Sequence, residues 1–393
     1  MQRQQQLIQW LHSQLPDEPF TIAPASADAS FRRYFRATFE NRTLIVMDAP
    51  PQHEDCRPFL HIAKLFEDAG THVPHVYAHD LKQGFLLLSD LGNTTYLQAL
   101  GGGNANTARE LYGAATDALI KIQLASRENE LPPYDEALLL REMRLFPEWY
   151  IAKHLNVTLS EAQSAKLETV FARIIANNLA QPRVYVHRDY HSRNLMYVES
   201  PSPSSDGTTS HSTDATISHP TKQPKDGCQV VGYKPASGQV AGYPPLAGER
   251  DIDSLREFLF NPGILDFQDA VYGPITYDLA SLFKDAYIRW EEADIIDWLI
   301  RYWEKARKAG LPVADDFSVF YRDYEWMGVQ RHLKVLGIFA RLYHRDGKDG
   351  YLKDLPLVMA YLRAACARYI DLKPLLNLLD TLEPHTTQEG YTF

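Results

Sequence analysis

Near the start of the chain Leu7, Leu11 and Leu15 recur every fourth position among polar neighbours, which predicts an amphipathic helix lying on the body of the protein. FTIA, FRRYFRATF and TLIVMDAPP follow as strands rich in aromatic and β-branched residues, the third ended by the Pro50–Pro51 pair. A short helix over 55–69 closes at Gly70, and HVPHVYAHD and GFLLLSDLG add two strands. Beyond Gly92 the period lengthens. Ala108, Leu111, Tyr112, Ala115, Leu119 and Ile122 mark a core-facing helix, with further helices over about 135–155 and 160–179. RVYVHRDYHSRNLMYV reads as strand, loop, strand, and from Tyr277 onward nearly every segment is helical. The pattern predicts an α+β chain in two parts: a small β-rich lobe over 1–92 and a larger helical lobe over 93–393. No repeat of fixed period interrupts it.

One stretch departs from both periods. From about 199 to 257 Ser, Thr, Pro, Gly, Asp and His dominate, so the segment reads as a disordered insertion that buries too little surface to offset its ordering entropy. His211 and His219 within it read as solvated loop residues.

Composition narrows the classes. A hydrophobic content of 45% in 393 residues suits a globular chain with a sizeable core. Against 40 basic residues stand 50 acidic ones, a net charge of −10, which disfavours a sequence-independent grip on nucleic acid or an anionic membrane. Cys56, Cys228 and Cys366 lie far apart, without zinc-ligand spacing and in odd number. The first residues lack an apolar core of signal-peptide length, and no segment has the roughly 18 apolar residues that span a bilayer. The expectation is a cytoplasmic protein without a nucleic-acid, membrane or obligate protein partner.

The chemistry concentrates in two segments. Phosphoryl transfer needs a carboxylate to orient and deprotonate an acceptor hydroxyl, and oxygen ligands for Mg²⁺ on nucleotide phosphates. His187-Arg188-Asp189-Tyr190-His191-Ser192-Arg193-Asn194 supplies Asp189 as base and, five residues on, Asn194 as a metal ligand. Gly263-Ile264-Leu265-Asp266-Phe267 is an apolar strand ending in a second ligand, Asp266. His344-Arg345-Asp346 repeats the tripeptide, but the fifth residue after Asp346 is Tyr351 and no strand precedes it, so that copy reads as a helix terminus.

HRDYHSRNLMY and ILDFQDAVYGPITYDLASL resemble the catalytic and metal loops of the aminoglycoside phosphotransferase and choline-kinase group, over nearly the whole chain outside the insertion. The resemblance implies a protein-kinase-like bilobal fold, ATP and Mg²⁺ as cofactors, and His187 and Asp278 as structural supports of the catalytic loop. Ser89, Asp90 and Leu91 resemble the hinge that meets adenine. SADASFRRYFR, VMDAPPQHEDCRPF, NPGILDFQDAVYGPITYDLASL and WMGVQRHLKVLGIFARL look like a subfamily of bacterial anomeric amino-sugar kinases. That likeness implies transfer of the ATP γ-phosphoryl group to the anomeric hydroxyl of N-acetylmuramate or N-acetylglucosamine, in cell-wall recycling. An aminoglycoside or other amino-alcohol acceptor, or a silent kinase fold used for binding, are the alternatives.

Three positions depart from the kinase pattern. Met47 stands where a phosphate-pairing Lys is expected, and Arg32 or Arg33 on the preceding strand is the candidate replacement. The first turn has small side chains instead of glycines, with Ser26 and Ser30 as candidate phosphate contacts or members of an ordinary hairpin. Gln268 replaces the glycine after the metal-loop Phe. For an acceptor, Trp149, Arg331, His332 and His344 offer an aromatic face and charge suited to a sugar with a lactyl carboxylate.

Overall fold

The computed structural model describes residues 2–27, 31–101, 104–198 and 262–383. The chain divides into two units, and His61–Val73 belongs with the second although it precedes the end of the first. The 199–257 insertion lies outside the described residues, as does Cys228. No described helix is long and apolar enough to cross a membrane.

In the first unit, helix α1 (Gln2–Gln14) precedes five antiparallel strands: β1 (Thr21–Ala27), β2 (Arg33–Thr38), β3 (Thr43–Asp48), β4 (Val76–Asp80) and β5 (Phe85–Ser89), in spatial order β1-β2-β3-β5-β4. Alternation decides which side chains meet. Leu44 and Val46 of β3 and Phe85 and Leu87 of β5 join Leu7, Trp10, Leu11 and Leu15 in one core, so α1 covers that face of the sheet. Met47 points the other way, opposite Leu86, and is 1% exposed. It is a core residue.

Helix α2 (Arg57–Asp68) runs from the first unit into the second and closes at Gly70 with φ +77°. The second unit continues with α3 (Tyr96–Ala99), α4 (Ala105–Leu124), α5 (Glu136–Leu145), a π-helix (Phe146–His154) and α6 (Glu161–Leu179). The π-helix replaces part of the α-helix expected over 135–155. Pro147 lacks an N–H for the α ladder, and the next turns widen, Leu155 donating to the Tyr150 carbonyl at 2.9 Å.

Four short strands follow: β6 (Arg183–Val186), β7 (Leu195–Met196), β8 (Gly263–Ile264) and β9 (Val271–Pro274). β6 pairs with β9 and β7 with β8, so the loops 187–194 and 265–270 are held side by side. β9 carries no periodic signal in sequence. It is a strand because β6 offers it an edge and because Gly273 leaves room for Tyr134, whose Cβ lies 2.6 Å from where a side chain would begin.

Helices α7 (Tyr277–Phe283), α8 (Glu292–Ala309), α9 (Phe317–Asp346), α10 (Leu355–Arg368) and α11 (Lys373–Leu382) complete the unit. α9 is buried on every side from Tyr324 to Gly337 and packs against α5, α6, α7, α10 and the π-helix. It ends at Asp346, with Gly347 left-handed beyond it, so the second His-Arg-Asp tripeptide closes a helix. At Gly337 the backbone of α9 comes so close to Leu145 that an added Cβ would lie 2.4 Å from the Leu145 carbonyl carbon. Gly337→Ala is therefore expected to destabilise the protein by about 1–3 kcal/mol in urea denaturation. Gly113→Ala in α4, where a Cβ meets nothing within 4 Å, is expected to gain up to about 1 kcal/mol.

Candidate active site

β6 delivers the chain into a turn at which Arg188 takes φ +76°, and β8 delivers Asp266 at φ +63°. Both are non-glycine residues in the left-handed region, a conformation that persists only where surrounding bonds over-determine it. Those bonds are present. Asp278, in the first turn of α7, accepts the N–H groups of His187 at 2.7 Å and Arg188 at 3.0 Å. From the other side Asp285 accepts the Ser192 N–H at 3.0 Å and the Ser192 hydroxyl, and its second oxygen accepts the Tyr287 N–H. The two loops are joined directly by the Leu265 N–H donating to the Asn194 carbonyl at 2.9 Å.

His187 is fully buried on Phe66, with Tyr190 edge-on. Its Nε2 lies 3.0 Å from the Leu265 carbonyl and must donate, while its Nδ1 accepts the Asp189 N–H at 3.2 Å. The hydrogen bonds thus assign the neutral Nε2–H tautomer, and burial lowers its pKa to about 4. Asp278 is pushed the other way, to about 7, because burial outweighs the two N–H groups it accepts.

Asp189 is partly exposed, which the role of base expected from the sequence requires. Burial disfavours its charge, but Lys334, His191, Arg331 and His187 outweigh that and hold its pKa below the usual carboxylate value. Behind the loop lies a buried polar network. Arg188 pairs with Glu142 of α5, which also takes Lys334 at 3.0 Å, Gln330 at 3.1 Å and the Tyr134 hydroxyl. Lys334 further donates to the Tyr277 hydroxyl at 3.0 Å.

Asn194 and Asp266 come together: Asn194 Nδ2 donates to the Asp189 carbonyl at 3.0 Å and lies 3.5 Å from Asp266 Oδ2. Gln268 Nε2 donates to the other Asp266 oxygen at 2.8 Å. With its amide nitrogen tied to the loop, Asn194 has its oxygen to offer a ligand. One amide oxygen and one carboxylate fit Mg²⁺, which keeps waters and takes phosphate oxygens for the rest. Among the described residues no group of three His, Cys, Asp or Glu forms a metal cluster.

The remaining candidates are scattered. In the first unit Arg33 pairs with buried Asp48, as does Arg3, and Arg32 lies 3.9 Å from Glu54. Asp90 accepts from Nε and Nη2 of Arg36, Ser89 Oγ accepts the His75 N–H at 2.9 Å, and Leu91 is buried. Ser26 lies on β1 opposite Tyr34, and Ser30 lies outside the described residues. In the second unit Arg331 is buried on α9, one turn before Lys334. His332 is buried against Tyr361, its Nε2 3.5 Å from the Lys284 carbonyl. His344 is exposed beside His154, and Trp149 is half-buried on the π-helix. Sequence reasoning missed Glu142, Lys334 and Asp285. The only signal was charge inside apolar helical runs, which the 3.6 period treats as noise.

The phosphotransferase enzyme family model matches residues 21–203 and 260–317. An N-acetylmuramate/N-acetylglucosamine kinase of Pseudomonas aeruginosa is 44% identical over 97% of both chains. One of the same name from Neisseria meningitidis serogroup B is 42% identical over the full length of both. Among solved structures, a choline kinase of Streptococcus pneumoniae shares the fold at 12% identity, with a TM-score of 0.53 over 93% of this chain and 99% of its own.

Neutral, buried His187 has a measurable consequence. Its folded pKa of about 4 lies below the unfolded value near 6.5, so the unfolded state binds the proton more readily. Its stabilisation is fully present above about pH 6.5 and is lost as pH falls through about 4, by on the order of 3 kcal/mol. Asp278 acts in the opposite sense, so the effect is read as a difference. His187→Gln is expected to lose less stability than the wild type between pH 7 and pH 4.5 in urea denaturation; parallel losses would show that His187 is not the titrating group.

Proposed function

The chain belongs to the phosphotransferase enzyme family, and we propose that it is an ATP-dependent kinase of the anomeric hydroxyl of N-acetylmuramate and N-acetylglucosamine. The product is the sugar 1-phosphate, formed in the cytoplasm during peptidoglycan recycling. The observation that carries the reaction class is the meeting of Asp189, Asn194 and Asp266 on two adjoining loops. The acceptor is supported by the names of the full-length relatives.

Asp189 takes the proton of the anomeric hydroxyl as the sugar oxygen bonds to the γ-phosphorus. The bond from that phosphorus to the bridging oxygen breaks, and ADP leaves with the electron pair. Asn194 and Asp266 hold Mg²⁺, which when bound neutralises charge on the nucleotide phosphates. His187 and Asp278 act through the backbone that presents Asp189. Ser89, Asp90 and Leu91 offer the adenine contacts. With Met47 in the core, phosphate charge falls to Arg32 or Arg33, and Ser26 and Ser30 are the further candidates for phosphate contact. A polycationic aminoglycoside suits the acceptor side less well, because Arg331 and Lys334 set positive charge around Asp189.

A coupled ADP-release assay with free N-acetylmuramate, N-acetylglucosamine and kanamycin tests the reading. Turnover with the sugars is expected, and turnover with kanamycin alone would overturn it. Asp189→Asn is expected to lower kcat by about 10²- to 10⁴-fold with little change in nucleotide affinity; wild-type turnover in that variant would refute the base assignment.

A further inference from the structure

Four cationic side chains are buried among the described residues, and three of them have a carboxylate partner. Lys284 meets Glu325 at 3.4 Å, Lys334 meets Glu142 at 3.0 Å, and Arg363 meets Asp380. Arg331 differs. It is 4% exposed, its Nε and Nη1 have no hydrogen-bond partner, and it makes no ion pair among the described residues. A buried charge without a partner is costly. The cation one turn away, Lys334, is given Glu142 of α5, whereas Arg331 is given no such carboxylate.

The surroundings say what the group faces. The charge of Arg331 acts on the buried Asp278 carboxyl and, at partly exposed positions where an acceptor can reach, on Asp189, His191 and Tyr287. His191 Nδ1 is likewise buried without a partner. Arg193 stacks its guanidinium 3.5 Å over the Tyr287 ring, which makes a wall beside them. The protein leaves two polar groups unsatisfied next to its base, one of them a single positive charge.

We propose that Arg331 is the carboxylate seat of the acceptor subsite: it pairs with the lactyl carboxylate of N-acetylmuramate while the C1 hydroxyl of the same sugar lies on Asp189, so that the acid is favoured over N-acetylglucosamine. This rests on the amino-sugar reading above. The lactyl group hangs from C3, two ring carbons from the anomeric centre. A sugar whose C1 hydroxyl meets Asp189 therefore carries its carboxylate a few ångströms away, in keeping with a guanidinium that influences Asp189 without pairing with it. A monoanion matches the one unpaired charge. His191 Nδ1 is left for a ring hydroxyl.

Steady-state kinetics with both sugars tests the assignment. In Arg331→Met the ratio of kcat/KM for N-acetylmuramate to that for N-acetylglucosamine is expected to fall about 10- to 100-fold, the worth of a lost charge-assisted pair. Arg331→Lys, which keeps the charge, is expected to retain part of the preference. Wild-type enzyme offered N-acetylmuramate methyl ester needs no folded variant: its kcat/KM should drop towards that for N-acetylglucosamine. An unchanged ratio in Arg331→Met, or an ester used as well as the acid, would overturn the carboxylate seat while leaving the kinase reading intact. A wild type inactive on both sugars would overturn the two together.

Discussion

Asp278 accepts two backbone N–H groups from one turn, those of His187 and Arg188, and the left-handed conformation of Arg188 depends on them. Without that carboxylate the turn would relax towards the conformations open to a β-carbon, and Asp189 would lose its aim. The cost is a charge held out of water, seen in the raised pKa of Asp278. Everything else at the site adds restraint to the same turn. Asp285 holds Ser192, Glu142 holds the Arg188 side chain, and His187 bonds to both the Asp189 N–H and the Leu265 carbonyl.

Helix α9 links this turn to the rest of the second unit. It lies under the loop with Gln330 and Arg331 one turn before Lys334, and packs its remaining faces against α5, α6, α7, α10 and the π-helix. Gly337 lets it approach the end of α5 backbone to backbone, so α5 can place Glu142 where Arg188 and Lys334 both reach it. The positive charges that keep Asp189 ionised therefore come from a rigid core element. A loop would place them less accurately.

The first unit follows a different economy. Its sheet is covered on one face by α1 and buries Met47 on the other, so the third strand contributes packing where the kinase pattern has charge. The arginines of the adjacent strand are engaged with acidic partners, Arg33 with Asp48 and Arg36 with Asp90. A phosphate arriving there would have to compete with those carboxylates.

Much of the fold was legible because burial imposes a period. The five strands of the first unit, α1 with Leu7, Leu11 and Leu15, and the long helices of the second were written in spacings of two and of about four. That Asp189, Asn194 and Asp266 come together on two adjoining loops was legible too, from the five-residue interval and the apolar strand that ends in Asp266. What tertiary structure alone decided lacks a local signal. β9 is a strand only because β6 lies beside it, and the π-turns after Pro147 share the apolar pattern of an α-helix. Glu142, Asp285 and Lys334 are charges whose meaning depends on distant partners, Arg188 at 46, Ser192 at 93 and Tyr277 at 57 residues away. Arg331 was one of four equal acceptor candidates in the sequence. Burial without a partner sets it apart, and burial is a property of the packed chain.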